Sequence, residues 1–107
     1  MEEIILPDIL TFEWDEGNST KSWVKHKVST NEQERAFFTK KKILIEDKKH
    51  SQFERRFLMY SETSEGRKLI IAFTIRTTEK QQKIRPISAR PMNRKEARLY
   101  EETLKVA

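Results

Sequence analysis

The alternation of apolar and polar side chains in the second half of the chain constrains the fold most strongly. In residues 53–60, 67–76 and 83–90 the apolar side chains recur at odd-numbered positions. Because successive side chains of a β-strand point to opposite faces, this spacing predicts three strands that share one apolar face. The residues of that face are Phe57, Met59, Leu69, Ile71, Phe73, Ile75, Ile87 and Ala89.

Helices are predicted before and after these strands. Asp15 can cap a helix over residues 16–27, on which Trp23 and Val24 would face inward. A capping-box pattern at residues 29–32 predicts a second helix that ends near residue 38. Asn93, with Glu96 three residues later, predicts the cap of a last helix.

The order of these elements defines the fold class. A short strand at residues 11–14 precedes the first helix, and a further strand begins at residues 43–45. The order β-α-α-β-β-β-β-α predicts an α+β fold with an antiparallel sheet and helices on one face. At 107 residues the chain is expected to form a single domain, residues 1–107, in which residues 1–11 are a short N-terminal arm.

The charge distribution indicates a polyanionic partner. Residues 67–107 hold eleven Lys and Arg against four Asp and Glu, whereas residues 1–66 hold eleven against thirteen. A half-chain this basic favours nucleic acid as the partner. The chain has no Cys, which excludes thiolate catalysis, and no basic, apolar leader, so a cytoplasmic protein without a membrane partner is expected.

The even-numbered face of the predicted sheet is polar at one end and carries a candidate site. If the hairpin turns set the register as expected, Ala72 lies between Arg56 and Ser88 and forms a shallow basin for a phosphate. The alternative is a ladder of cross-strand salt bridges, for example between Glu54 and Arg76. The polar residues of this face are Glu54, Arg56, Thr74, Arg76, Ser88 and Arg90.

These residue types are sufficient for RNA cleavage without a metal or another cofactor. The 2′-hydroxyl attacks the adjacent phosphorus, which requires a base, cations for the phosphorane and a proton donor for the leaving oxygen. Glu54 or His26 could be the base, and His26 could also be the acid, because an imidazole ordinarily titrates near neutral pH. Arg56, Arg76 and Arg90 could supply the positive charge.

An ordered set of short motifs closely resembles the BrnT toxins over about residues 12–102. The motifs are Phe12-Glu13-Trp14-Asp15, Lys25-His26, Asp47 with His50-Ser51, Glu54 with Arg56-Phe57, Gly66-Arg67, Thr74 with Arg76, Ile84-Arg85, and Ile87-Ser88-Ala89-Arg90. Each motif is weak alone, and their common order makes the resemblance specific.

The resemblance implies the ribonuclease toxin of a type II toxin–antitoxin pair with a RelE-like fold. It implies metal-independent RNA cleavage that slows translation, and neutralisation by a BrnA-like antitoxin of the ribbon-helix-helix class, through which the complex binds its operator DNA. The candidate catalytic residues are His26, Glu54, Arg56, Arg76 and Ser88. The candidate RNA-binding residues are Lys25, Arg67, Thr74, Arg85 and Arg90, of which Arg67 and Arg85 are expected at strand ends beside the apolar face.

The sequence departs from the family pattern at the end of the first helix. Lys27 stands where a Gly is common, so the helix that carries His26 lacks its usual terminator. Two other classes of function stay open: a non-catalytic RNA- or DNA-binding module, and a regulator that acts only in complex with its partner.

Overall fold

The alternating segments form one antiparallel sheet of four strands in a computed structural model that describes residues 4–106. The elements in chain order are α1 (Lys21–His26), α2 (Thr30–Ala36), β1 (Lys42–Glu46), a 3-10 helix (Lys48–His50), β2 (Phe57–Glu62), β3 (Lys68–Thr77), β4 (Gln82–Pro91) and α3 (Arg94–Val106). The predicted α+β class is confirmed. The predicted first strand is only a parallel bridge between Phe12 and Ile84.

The odd-numbered face of the sheet is the core, as the alternation predicts. Met59, Ile71 and Phe73 are completely buried and belong to one apolar cluster with Val28 and Phe37 from the helical region. The rings of Phe37 and Phe73 meet edge to face with their centroids 5.0 Å apart. The segment around α2 therefore covers this face of the sheet.

The register between β2 and β3 differs from the predicted register by two residues. Leu58, and not Arg56, lies opposite Ala72. A shift of two residues keeps every side chain on its predicted face. It nevertheless removes Arg56 from the wall of the predicted basin. Arg56 lies before the first residue of β2, because residues 51–56 form an irregular segment instead of the predicted strand.

A β-bulge at Ile87 reverses the faces in the first half of β4. C-terminal to the bulge, Ser88 of β4 pairs with Ala72 of β3, as predicted. N-terminal to the bulge, the pairing of β4 with β3 is shifted by one residue from the predicted register, so that Pro86 pairs with Phe73. The extra residue turns Ile84 into the core, where it is fully buried. Arg85 therefore lies on the polar face, opposite Thr74. The expectation that Arg85 lies beside the apolar face is wrong.

The first helix is shorter than predicted, and its apolar side chains face solvent. The backbone N–H of Asp15 donates to Oδ1 of Asn18 at 2.8 Å, which closes a turn where the helix was expected to begin. On the six-residue α1 the side chain that is buried is Ser22, while Trp23 and Val24 are 51% and 71% exposed. The expectation that Trp23 and Val24 face inward is wrong.

Helix α3 lies on the polar face of the sheet, so the prediction that all helices share one face is wrong. Lys68 and Arg90 occupy even-numbered strand positions and form ion pairs with Glu101 and Glu96 of α3. The even-numbered Ile70 on this face is buried. Helix α3 therefore covers the part of the polar face on which Ile70 lies.

The N-terminal arm is packed against the domain over its described part. Leu6 and Leu10 are partly buried against the main core. The backbone N–H of Glu13 donates to the carbonyl oxygen of Ile84 in β4, and the N–H of Ile84 donates to the carbonyl oxygen of Thr11. Residues 1–3 of the predicted arm lie outside the described residues. None of the helices within residues 4–106 has the length and apolar character needed to span a membrane.

Candidate functional site: a cleft between the first helix and the last strand

Helix α1 is attached to the exposed edge of β4 by buried hydrogen bonds. The backbone N–H of Ala89 donates to Oγ of Ser22 at 2.8 Å. Nδ2 of Asn18, just before the helix, donates to the carbonyl oxygen of Pro86 at 2.7 Å. Because Pro86 and Ala89 flank the bulge, these bonds fix the helix against the irregular part of the strand.

The C-terminal end of α1 is held by Arg67. Its guanidinium donates to the carbonyl oxygens of His26 at 2.8 Å and Lys27 at 2.9 Å, and to Oε1 of Glu32 at 2.9 Å. These carbonyls have no partner inside the helix, so Arg67 satisfies them. Arg67, a candidate RNA-binding residue, therefore positions His26 in this structure.

Lys27 ends the helix in the conformation that a glycine would adopt. Its φ and ψ are 56° and 40°, which is the left-handed region, and its N–H donates to the carbonyl oxygen of Trp23. A side chain in this region costs about 1 kcal/mol or more relative to glycine. Lys27 therefore ends α1 at the position where the family pattern has a glycine.

Four candidate residues of the sequence analysis line one cleft of about 220 Å³ between α1 and β4. Lys25 and His26 come from the helix, and Ser88 and Arg90 from the strand. Lys21, which the sequence analysis did not select, lines the same cleft. No carboxylate is among the lining residues, so the cleft is an electropositive pocket with an imidazole and a hydroxyl. The lining residues are Lys21, Ser22, Lys25, His26, Ser88, Ala89 and Arg90.

Arg90 at the edge of the cleft is held by Glu96 of α3. Its two terminal nitrogens donate to the two carboxylate oxygens, each at 2.8 Å. The same carboxylate accepts from the backbone N–H of Asn93, which completes the predicted capping box. The bond from Arg90 lowers the pKa of Glu96 to about 2. The orientation of Arg90 thus depends on the cap of α3.

Replacement of Glu96 by Gln is expected to reduce stability at neutral pH only. A carboxyl group with a lowered folded-state pKa stabilises the fold above its unfolded pKa of about 4.5, and this contribution disappears as the pH falls towards 2. Urea unfolding should show that Glu96→Gln is less stable by about 1 kcal/mol at pH 7, with the difference vanishing near pH 2. Glu102→Gln, at an exposed position of the same helix, is the control and should show neither effect.

The polar face of the sheet carries a chain of ion pairs beyond the cleft. Arg76 contacts Glu54 at 3.2 Å and Glu13 at 3.5 Å. Arg85 contacts Glu13 at 3.8 Å and both carboxylate oxygens of Asp15 at 2.9 Å. The hydrogen bonds from Arg85 lower the pKa of Asp15. The pair of Glu54 with Arg76, which the alternative of a salt-bridge ladder predicted, is therefore present, although Glu54 lies in the irregular segment before β2 and not on a strand.

Thr74 and Arg56 belong neither to the cleft nor to the chain of ion pairs. Thr74 is buried, and its hydroxyl donates to the carbonyl oxygen of Arg55 at 2.8 Å, which anchors the segment before β2. Within residues 4–106 the guanidinium of Arg56 makes no ion pair or hydrogen bond. Within the described residues, every other arginine proposed for the site forms an ion pair with a carboxylate, and Arg56 does not.

The acidic partners are the functional neighbours that the sequence analysis missed. Glu13 and Asp15 arrive from the N-terminal segment, which is some 70 residues from Arg85 in sequence. Glu96 was recognised only as a helix cap. No strand pattern could reveal these pairings, because Glu13, Asp15 and Glu96 all lie outside the strands.

The described residues contain no cluster of three or more His, Asp or Glu side chains that could hold a metal ion. The other histidine, His50, is paired with Asp47 at 2.9 Å, next to the end of β1 and away from the cleft. The side chains of the cleft are suited to a phosphate instead: the ammonium groups bind its oxygens, and the imidazole can move a proton.

Comparison with known families gives one match that covers most of the chain. A family model described as "Ribonuclease toxin, BrnT, of type II toxin-antitoxin system" matches residues 14–96. This range contains α1, all four strands and every residue that lines the cleft. A search of curated proteins finds no match.

Proposed function

The chain belongs to the BrnT family of ribonuclease toxins of type II toxin–antitoxin systems. We propose that it is a metal-independent endoribonuclease and that the cleft between α1 and β4 is where it cleaves RNA. The observation that carries the proposal is the convergence of His26, Lys25 and Lys21 from the helix with Ser88 and Arg90 from the strand. We also propose that the fold is RelE-like, as the sequence resemblance implies.

The proposed reaction is an internal transfer at phosphorus. His26 accepts the proton of the 2′-hydroxyl, and the 2′-oxygen attacks the adjacent phosphorus. The bond from phosphorus to the 5′-oxygen breaks, and the leaving oxygen takes a proton from the solvent that the open cleft admits. The products are a 2′,3′-cyclic phosphate and a 5′-hydroxyl end.

The remaining cleft residues act on the charge of the phosphate. The phosphorane carries more negative charge than the substrate on its equatorial oxygens, so preorganised cations stabilise it preferentially. Lys21 and Lys25 make no ion pair within the described residues and can bind these oxygens directly. The Ser88 hydroxyl donates a hydrogen bond to the same group.

We place the other candidates along the path of the RNA. Glu54 and Arg76 are paired with one another, so a phosphate must displace a carboxylate before Arg76 can bind it. The same argument applies to Arg85 and its partner Asp15. Arg56 carries the guanidinium that is open to a phosphate on this side of the sheet.

The cellular role follows from the family membership. We propose that RNA cleavage inhibits translation in the bacterial cytoplasm until a BrnA-like ribbon-helix-helix antitoxin neutralises the chain. We propose further that the complex contacts its operator DNA only through the antitoxin, because helix α1, the basic helix of the cleft, is too short to read a major groove.

Cleavage in the presence of EDTA tests the reaction directly. Purified protein, free of antitoxin, should cut single-stranded RNA in excess EDTA and leave 2′,3′-cyclic phosphate ends, which periodate-resistance and phosphatase assays detect. DNA of the same sequence is the control, and it should stay intact because it lacks the 2′-hydroxyl. Activity that is lost in EDTA and restored by magnesium would contradict the mechanism. RNA binding without cleavage would indicate the non-catalytic module.

A further inference from the structure

The outer surface of α1 exposes an indole that the fold does not use. Trp23 is 51% exposed, and within the described residues its N–H makes no hydrogen bond. The other tryptophan, Trp14, is partly buried and donates its N–H to Oε2 of Glu34 at 2.7 Å. A large aromatic side chain that is half exposed and unused by the core is a candidate for ligand contact.

The charged side chains of α1 and of Lys27, which ends it, are all positive. Lys21, Lys25 and Lys27 are exposed on the same short helix, which contains no acidic residue. The ammonium of Lys27 lies 5.2 Å from the centre of the Trp23 ring. An aromatic plane next to several cations is complementary to a chain in which flat bases alternate with phosphates, which is the chemistry of single-stranded nucleic acid.

We propose that Trp23 stacks on a nucleobase of single-stranded RNA whose phosphates lie in the adjacent cleft. This inference rests on the proposed function and adds to that function a residue that contacts a base. Trp23 precedes His26 by three residues, so the two side chains are neighbours on the helix surface. A base on the indole therefore lies next to the nucleotide whose phosphate faces His26. Lys27 remains over one face of the ring and binds a flanking phosphate, so the base stacks on the other face.

A protein partner fits this surface less well than RNA. The exposed apolar side chains of α1 are Trp23 and Val24, and lysines flank them on both sides. A stable protein interface buries roughly 800 Å² on each partner, and one aromatic side chain supplies about 150–250 Å². Base stacking needs no larger apolar area, because each base contributes one flat face.

Binding to an RNA that cannot be cut separates stacking from catalysis. The probe is a single-stranded oligonucleotide with 2′-O-methyl groups, and a second version lacks the bases but keeps the phosphates. Trp23→Ala should weaken binding of the first probe by roughly 10-fold, whereas Trp23→Phe should retain most of the affinity. Val24→Ala is the matched control, since Val24 is even more exposed on the same helix. The version without bases should bind wild type and Trp23→Ala equally.

The outcomes distinguish this inference from the proposed reaction. If wild type cleaves RNA but Trp23→Ala, folded by its thermal unfolding, binds both probes like wild type, stacking is wrong and the ribonuclease proposal stands. If binding depends on Trp23 and on the bases but no RNA is cut, stacking is supported and the catalytic proposal fails. If Trp23→Ala loses a protein partner while RNA affinity is unchanged, the surface is a protein interface and stacking is overturned.

Discussion

Ile71→Ala is expected to destabilise the domain by about 2–5 kcal/mol. Ile71 lies in the centre of β3 and is completely buried among the apolar residues of the odd-numbered face. Its neighbours belong to a rigid sheet and cannot fill the cavity that the substitution leaves. Urea unfolding followed by circular dichroism measures the change in the free energy of unfolding.

The adjacent residue provides the matched control for the assignment of the two faces. Ala72 lies on the opposite face, where Leu58 and Ser88 flank it and solvent reaches it. Ala72→Leu adds bulk to a partly open surface, so its effect on unfolding should stay within about 1 kcal/mol. A large loss of stability in Ala72→Leu, combined with a small loss in Ile71→Ala, would show that the faces are inverted.

The faces of the sheet could be predicted from the sequence because a strand alternates strictly. Each odd-numbered apolar residue of β2 and β3 is on the core side, even though the register between the strands was misjudged by two residues. A shift of an even number of residues does not exchange faces. The alternation therefore predicts which residues are buried more reliably than it predicts which residues are opposite each other.

The sequence contains one indication that the two faces are reversed in the first half of β4. Pro86 interrupts the segment 83–90, and a proline inside a strand is typical of an edge or a bulge. β4 is an edge strand and carries the bulge at Ile87, next to Pro86. The presence of Pro86 could have indicated that Arg85 faces the polar side.

The composition of the site was only partly predictable. The motif Lys25-His26 and the motif Ser88-Ala89-Arg90 line one cleft, an arrangement that neither the alternation nor the family resemblance predicted. The prediction that the polar face has more arginines than carboxylates left out the partners that come from the N-terminal segment and from α3. These carboxylates lie outside the strands, so the alternation within a strand does not reveal them.

We propose that His26 moves the proton of the 2′-hydroxyl in the cleft. His26→Asn is expected to slow RNA cleavage by about 100- to 10,000-fold, because an amide keeps hydrogen-bonding capacity but cannot accept the proton. His26 is exposed and its carbonyl, which Arg67 binds, is unchanged by the substitution, so the fold should be retained. His50→Asn is the control, since His50 is an exposed histidine outside the cleft.

Single-turnover cleavage of end-labelled RNA in EDTA is the most direct measurement, made with saturating protein so that binding does not limit the rate. We expect that His26→Asn binds RNA and unfolds like wild type but cuts RNA at least about 100-fold more slowly, while His50→Asn cuts RNA at the wild-type rate. Equal cleavage rates for wild type and His26→Asn would contradict the proposed role of His26 and would mean that the catalytic base lies elsewhere.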